Sequence, residues 1–253
     1  MLILLPPSET KREGGPADSA LDLGELSFPG LTAPRRATLA ELRSLSSNLA
    51  SAATALKLGP KGAPEAAKNR EVRHSPVLPA LDRFDGVLFD GLAASSLDEA
   101  SRAFAGRHVA VHSALFGLVG GLDPIPSYRL SHDSRLPERT LKSLWREPIS
   151  AELASVEGLL LDLRSEGYAA LGPLPDREDA VFVRVVTEGD DGRRRALNHF
   201  NKKAKGLFTR ALLEARVVHS SVADLMTWSA AAGFRLEPGA SPREIELVVD
   251  AAL

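Results

Sequence analysis

Short apolar segments rich in branched side chains constrain the fold of this chain most. Residues 159–163 read LLLDL, and residues 180–186 read AVFVRVV. Runs of this length and composition predict buried β-strands. Residues 1–5, which read MLILL and end at Pro6, predict a further core strand. The chain therefore needs a β-sheet at its centre.

Segments with helical spacing lie between these strands without a regular alternation of strand and helix. The predicted helices cover about residues 38–57, 97–104, 139–156, 197–218 and 222–231. Residues 87–89 predict a short strand, and the glycine-rich residues 117–121 predict a turn. No repeat and no long linker divides the chain. We therefore expect one compact α+β (mixed α/β) domain over residues 1–253, with a central mixed sheet flanked by helices.

Composition excludes several classes of function. The chain has 253 residues and no cysteine, which excludes disulfides, thiolate metal sites and thiol peroxidase chemistry. The formal net charge is −2, so the whole protein has no field that attracts nucleic acid. The apolar N-terminus is too short for a signal peptide, and no segment has the length of a membrane span. We expect a cytoplasmic protein with no membrane partner and no metal or other cofactor.

Positive charge is concentrated in residues 193–216. This segment has eight basic residues against one acidic residue, which gives a local net charge of +7. The basic residues are Arg193, Arg194, Arg195, Lys202, Lys203, Lys205, Arg210 and Arg216. Any interaction with a polyanion is expected to use this local patch, since the total charge is close to neutral.

Helical spacing sorts the side chains of this basic segment. An apolar stripe consists of Phe200, Ala204, Leu207, Phe208 and Ala211. Lys203, Gly206 and Arg210 follow one flank, and Lys202 and Lys205 are expected to face solvent. Gly206 destabilises a helix interior by about 1 kcal/mol relative to alanine. Close packing would explain the glycine, and so would the approach of a phosphate; a solvated helix face is the alternative for the cations.

A second candidate phosphate contact is the turn that contains Gly59, Lys61 and Gly62. It lies between two helical segments and is similar to the turn of a helix-hairpin-helix motif, in which backbone N–H groups hold a DNA phosphate. The two glycines are three residues apart rather than two, and Pro60 lacks an N–H donor. An ordinary helix end followed by a loop is the alternative.

Candidate pocket residues lie after predicted strands and turns. Ser8 follows the first strand, Tyr128 and Arg129 follow a proline-rich turn, and Asp162 ends an apolar strand. A carboxylate at the end of a strand is a common catalytic position and also a common structural one. The sequence has no nucleophile elbow, phosphate-binding P-loop or paired-histidine metal motif, so catalytic residues stay unassigned and no metal ligands are expected.

Four regions of the sequence together point to a known family. They read MLILLPPS (residues 1–8), FDGVLFDGL (84–92), SALFGL with LDPIPSYRL (113–118 and 122–130), and NHFNKKAKGL (198–207). In this order they resemble the YaaA family of bacterial peroxide-stress proteins. One departure is in the first loop, where the family commonly has a lysine directly after its Ser-Pro-Ala start. Here Glu9 stands near that position and Lys11 comes later.

The resemblance implies a compact mixed α/β fold with a positively charged cleft. It also implies binding of double-stranded DNA with little sequence preference, and a part in surviving hydrogen peroxide. Because the chain has no thiol with which to consume or sense peroxide, protection of DNA from oxidative damage is a coherent role. We favour a binding protein over an enzyme, and the sequence leaves the oligomeric state open.

Two sets of DNA contacts follow from this reading. The first is the basic helix with Lys202, Lys203, Lys205 and Arg210, to which Arg193, Arg194 and Arg195 add an outer electrostatic contribution. The second is the turn with Gly59, Lys61 and Gly62. A rival reading is an enzyme that acts on a nucleotide or nucleic-acid base, with Tyr128, Arg129 and Asp162 around the substrate and Asp162 as general base. A scaffold without any ligand is the third.

Overall fold

A central β-sheet organises the chain in the computed structural model, which describes residues 1–59, 62–188, 194–196 and 200–249. The described strands are β1 (Leu2–Leu5), β2 (Val77–Pro79), β3 (Val109–Ser113), β4 (Gly117–Gly120), β5 (Pro124–Pro126), β6 (Leu160–Asp162), β7 (Ala180–Glu188), β8 (Arg194–Ala196), β9 (Arg235–Pro238) and β10 (Glu244–Val249). The strands predicted at residues 1–5, 159–163 and 180–186 are confirmed as β1, β6 and β7.

The main sheet has the strand order β4-β3-β1-β6-β7-β10-β9, and β8 pairs with β7 outside this path. The five strands from β3 to β10 along this order are mutually parallel, whereas β4, β8 and β9 are antiparallel to their neighbours. All four side chains of β1 are buried. This explains its uninterrupted apolar sequence, since a strand inside a parallel sheet is covered on both faces. Strands β2 and β5 form a separate two-stranded sheet.

Helices pack around this sheet, as the sequence predicts. The described helices are α1 (Thr32–Ser46), α2 (Leu49–Ala55), α3 (Ala63–Lys68), α4 (Ala80–Arg83), α5 (Val87–Leu92), α6 (Glu99–His108), α7 (Leu141–Ser155), α8 (Glu166–Ala169), α9 (Phe200–Ala215) and α10 (Val222–Ala231). The mixed α/β class is thereby confirmed. In the described part of the chain, no helix has the length and apolar character that crossing a membrane requires.

Three local predictions are wrong. Residues 87–89 belong to helix α5, because an apolar run of three residues fits a strand or a helix equally well. Residues 117–120 form strand β4 rather than a turn. The first helix begins at Thr32 instead of near Thr38, and Asn48 starts a separate helix by accepting hydrogen bonds from the N–H groups of Ala50 and Ser51.

The topology opens a crevice beside the carboxyl end of β1. From β1 the chain goes on to β3 on one side of it and later returns to β6 on the other side. Loops that leave two such strands diverge, and the space between them is where open α/β sheets usually bind ligands. The loop after β1 and the segment after β6 therefore define the place to look for a site.

Candidate functional site

A pocket of about 600 Å³ lies at this crevice. Its wall is formed by the loop after β1, the start of α5, the segments that follow β5 and β6, and the first turns of α9. The lining residues are Pro6, Pro7, Ser8, Glu9, Thr10, residues 86–89, Ser131, His132, Ser165, Tyr168, Asn201, Lys202 and Lys205. Three residues of this set, Ser8, Lys202 and Lys205, are candidates on sequence grounds, and the fold brings all three to one pocket.

The start of α5 lies against the loop after β1 through Gly86. This residue precedes α5 and has a φ of +122°, a region of backbone space that favours glycine. A Cβ added here would lie 3.1 Å from the Ser8 Oγ. Glycine therefore lets the turn into α5 approach Ser8 closely, which closes one side of the pocket.

Helices α5 and α9 touch backbone to backbone. A Cβ at Gly206 would overlap the carbonyl oxygen of Leu88 and would lie 2.9 Å from the Leu92 nitrogen. A Cβ at Gly91 would lie 2.9 Å from the Lys203 carbonyl oxygen. Close helix packing thus explains Gly206, which is the first of the two explanations that the sequence allowed. The contact holds the start of α9 beside the pocket.

Lys205 lines the pocket as a buried amine. Its exposed fraction is 5%, and its Nζ donates to the carbonyl oxygens of Leu163, at 2.9 Å, and Arg164, at 3.3 Å. Desolvation lowers the pKa of this amine to about 8. The expectation that Lys205 faces solvent is wrong, because its long side chain reaches back to the end of β6.

Beside the carbonyls that hold Lys205, Asp162 is part of a buried ion pair. The Asp162 Oδ1 accepts from the Nε and the backbone N–H of Arg164, both at 2.9 Å, and its Oδ2 accepts from the Arg164 Nη2 at 2.7 Å. Asp162 borders a separate groove beside Phe182, but its side chain is only 1% exposed. With both oxygens bonded to Arg164, the carboxylate holds the arginine and is not free to act as the general base of the rival reading.

Arg164 connects this ion pair to a buried histidine. Its Nη1 lies 2.9 Å from the Nδ1 of His112, which is fully buried. Desolvation lowers the pKa of His112 well below its ordinary value, and the charge of Arg164 lowers it further. Since arginine can only donate, His112 Nδ1 is the acceptor and the ring is neutral. The His112 ring also contacts the edge of Tyr168 in the pocket wall, with 5.3 Å between ring centroids.

Tyr128 and Arg129 lie behind the pocket loop. Tyr128 is 2% exposed, its hydroxyl is 2.7 Å from the Ser113 Oγ, and burial raises its pKa. Arg129 pairs with the carboxylate of Glu9, which lines the pocket. Neither residue is part of the pocket lining, so the structure places them in support of the loop rather than at a bound molecule.

Lys11, which the departure from the family pattern singled out, is also buried behind this loop. Its Nζ donates to the carbonyl oxygens of Ser8, at 3.1 Å, and Glu9, at 3.2 Å, and lies 4.2 Å from the centroid of the Tyr128 ring. Desolvation lowers the pKa of this amine to about 7. Unlike Lys205, Lys11 does not line the pocket.

The predicted cations of α9 divide into two groups. Lys202 and Lys203 are exposed, and neither forms a salt bridge with any residue that the structure describes. Arg210 instead donates to the carbonyl oxygens of Leu92 and Ala93, both at 3.1 Å, and pairs with Glu214. It therefore covers the end of α5. We name the two exposed lysines, Lys202 and Lys203, the rim.

Several predicted phosphate contacts lie away from the rim or outside the described residues. Arg194 pairs with Glu237 and Glu246 at the sheet. Arg193 and the side chain of Arg195 lie outside the described residues, and so does Lys61.

The glycine turn joins α2 to α3, and Gly62 donates its N–H to the Gly59 carbonyl oxygen at 2.8 Å. Neither glycine lines the pocket, and the role of the turn in binding DNA stays a prediction.

Much of the pocket wall is formed by residues that the sequence did not mark as candidates. His132 follows the proline-rich turn, Ser165 and Tyr168 follow β6, and residues 86–89 begin α5. The one signal that points to Ser165 and Tyr168 is their position directly after a parallel strand. His132 has no such signal, since its place depends on how the segment after β5 crosses the sheet.

The fold and site define a mixed α/β protein with a partly cationic pocket at the carboxyl edge of its parallel strands. A family model described as peroxide stress protein YaaA matches residues 1–240. A UPF0246 protein of Corynebacterium glutamicum is 41% identical over 255 residues, which cover 98% of this chain and all of that protein. A UPF0246 protein of Streptomyces coelicolor is 38% identical over 260 residues, which cover 98% of both chains.

These matches extend over nearly the whole chain. The chain therefore belongs to the peroxide stress protein YaaA family, and the resemblance found in the sequence motifs is confirmed. Membership of this family supports a role in oxidative stress.

Proposed function

We propose that this protein binds double-stranded DNA through its rim and thereby helps to protect DNA during peroxide stress. The observation that carries the proposal is the contrast within α9: Lys202, which lines the pocket, and its neighbour Lys203 are exposed, whereas Lys205 and Arg210 bond to backbone carbonyls. Two lysines with no salt bridge among the described residues leave their charge available for an anion.

Lysine contacts to phosphate favour binding with little sequence preference. Phosphates carry no base information, so such contacts position a protein on DNA without specifying a sequence. Each neutralised phosphate releases condensed counterions, which makes the affinity fall with salt. A protein without cysteine does not remove peroxide through a thiol. Two exposed lysines that bind phosphates support a role in shielding DNA by binding to it.

Fluorescence anisotropy with a labelled duplex, scanned over salt, tests the proposal. The variant is Lys202→Ala with Lys203→Ala. Each lost phosphate contact reduces the slope of log affinity against log salt by about 0.9 for duplex DNA, so the double variant should lose up to about 1.8. Affinity should fall about equally on duplexes of unrelated sequence.

A matched control removes two exposed cations elsewhere. Arg43 on α1 and Lys142 on α7 are exposed and do not line the pocket. The variant Arg43→Ala with Lys142→Ala has the same net charge as the rim variant. Equal loss of affinity in both variants would show that only total charge matters, and unchanged binding in the rim variant would remove the rim from the DNA site.

A further inference from the structure

The buried amine of Lys205 is a potentially reactive group whose role the proposed DNA binding does not explain. It lines the pocket, it is nine-tenths buried, and phosphate binding at the rim does not use it. Its amine is also more acidic than an ordinary lysine amine, with a pKa lowered to about 8 by desolvation. Lysines with these properties serve as nucleophiles toward carbonyl compounds.

The hydrogen bonds of Lys205 are sufficient to hold the neutral form of the amine. A neutral amine has two N–H groups and one lone pair, and Lys205 has two acceptors, the carbonyl oxygens of Leu163 and Arg164. No carboxylate lies within salt-bridge distance of Lys205 in the part of the chain that the structure describes. The nearby carboxylate of Asp162 is bonded to Arg164 instead. The surroundings therefore satisfy both N–H groups and leave the lone pair for a reaction.

We propose that Lys205 forms a reversible imine with an aldehyde that enters the pocket and carries a phosphate group. The phosphate end would lie toward Lys202, which lines the same pocket; this part of the inference rests on the proposed function of the rim. Two sources share this chemistry: the open-chain sugar of an abasic site in DNA, and a free sugar phosphate.

The reaction needs no further reagent. The Nζ lone pair forms a bond to the carbonyl carbon, and the carbon–oxygen double bond opens to give a carbinolamine. Both amine hydrogens then leave with the aldehyde oxygen as water, and a carbon–nitrogen double bond remains. Water reverses the reaction. The exposed His132 and the buried Tyr168 line the same pocket and contact each other, with 5.0 Å between ring centroids, so they form the wall beside which the aldehyde would react.

Borohydride trapping of the full-length protein tests this proposal. The probes are a duplex with one abasic site and glyceraldehyde 3-phosphate, each incubated with protein and sodium cyanoborohydride and followed by peptide mapping in a mass spectrometer. At pH 8 an amine with a pKa near 8 has a neutral fraction about a hundredfold larger than an ordinary lysine. We expect the adduct on Lys205, with a yield that rises with pH up to about 8.

Lys11 is the matched internal control. It is buried, it donates to two carbonyl oxygens, and its pKa is lowered to about 7, but it does not line the pocket. If acidity alone directed the reaction, Lys11 would be labelled at least as strongly as Lys205. The proposal predicts the label on Lys205 and little on Lys11. A label on Lys11, or one spread over the exposed lysines, would overturn it.

The variant Lys205→Arg keeps a cation and hydrogen-bond donors at this position but cannot form an imine. If thermal unfolding shows that this variant is folded, trapping should be lost in it. If the variant does not fold, peptide mapping of the unsubstituted protein still shows which lysine carries the adduct. Lys202→Ala should weaken trapping by glyceraldehyde 3-phosphate more than trapping by glyceraldehyde, which has no phosphate. Equal effects on both probes would show that the phosphate group does not lie beside Lys202.

The two proposals fail in different ways. Intact duplex reports on the rim by anisotropy, and the aldehyde probes report on Lys205. Absence of a Lys205 adduct with both probes overturns the imine while duplex binding can still hold. An adduct with glyceraldehyde 3-phosphate but none with the abasic duplex, in a protein that does not bind intact duplex, identifies the free sugar phosphate as the source of the aldehyde.

Discussion

Two groups of basic side chains, the floor and the rim, are held in opposite ways. We define the floor as the buried cluster of Asp162, Arg164 and Lys205, of which Lys205 lines the pocket. Its two basic side chains, the Arg164 guanidinium and the Lys205 amine, are buried and bond to a carboxylate, a histidine and backbone carbonyls. At the rim, Lys202 and Lys203 are exposed and form no salt bridge with described residues. Lys202 and Lys205 lie less than one helical turn apart, yet one faces solvent and the other lies 5% exposed against the end of β6.

This contrast shows that a cluster of cations in a sequence is not one functional unit. The basic side chains of the floor are buried and held by hydrogen bonds. Removing one partner leaves the other group buried without compensation, which destabilises the fold. Exposed cations contribute little to stability and remain free for ligands. Substitutions in the floor should therefore change stability, and substitutions at the rim should change binding.

The largest expected effect is at Arg164. The variant Arg164→Met leaves Asp162 as an uncompensated buried carboxylate and removes the donor to His112. Breaking a buried pair in this way costs about 3–5 kcal/mol. Urea unfolding measures the loss, and the exposed Arg43→Met is its control, with an expected change below about 0.5 kcal/mol. Similar stability of both variants would contradict the structural role of the floor.

A smaller loss is expected at Gly206, where α9 meets α5. Alanine favours a helix by about 1 kcal/mol over glycine, but here its Cβ would overlap the Leu88 carbonyl oxygen. Overpacking costs about 1–3 kcal/mol, so Gly206→Ala should destabilise the protein. At Gly59 a Cβ meets no atom within 4 Å, which makes Gly59→Ala the control. Stabilisation by Gly206→Ala would show that the two helices are not in backbone contact.

The buried Lys11 predicts a pH dependence of stability. Its pKa is lowered from 10.5 to about 7 in the folded protein, so between these values the unfolded chain binds one more proton than the native state. Stability of the wild type therefore rises with pH across this window, by up to about 1.4 kcal/mol per pH unit. In Lys11→Met this contribution is absent.

The stability of Lys11→Met relative to the wild type is the diagnostic quantity. It should be greatest below pH 7, where the wild type holds a buried charge, and should decrease as the pH rises toward 10. Urea unfolding of both proteins at several pH values measures it. A difference that does not change with pH would show that the Lys11 amine is not held in the folded protein as described.

The smallest effect on stability is expected at the rim. Lys202→Ala with Lys203→Ala removes two exposed side chains that have no salt bridge among the described residues. Surface changes of this kind usually alter stability by less than about 0.5 kcal/mol. A thermal melt of this variant checks the value. A large loss of stability would show that these lysines stabilise the fold as the floor residues do, which would contradict the difference between floor and rim.

The strands of the central sheet could be predicted from the sequence, because short runs of apolar, branched side chains indicate strands locally. Residues 159–163 and 180–186 are short, apolar and branched, and they form β6 and β7. The long amphipathic helix near residues 197–218 is present as α9. Ser8, Lys202 and Lys205, which the sequence singled out as candidates, come together at one pocket.

Long side chains and close backbone contacts escaped prediction. Helical spacing gives the direction of a Cβ, but the Lys205 amine reaches carbonyls at the end of β6 and Arg210 reaches the end of α5. Both interactions depend on the tertiary arrangement of segments about 40 and 120 residues away along the chain. The close approach of Leu88 to Gly206 likewise joins segments that are distant along the chain, so local periodicity does not reveal it.

Lysine acylation footprinting shows whether bound DNA covers the rim. The full-length protein is treated with a limiting amine-reactive reagent, with and without saturating duplex, and labelling is read for each lysine by mass spectrometry. We expect DNA to protect Lys202 and Lys203 and to leave the exposed Lys142 unchanged. Bound DNA that protects Lys142 and leaves the rim as reactive as before would contradict DNA binding through the rim.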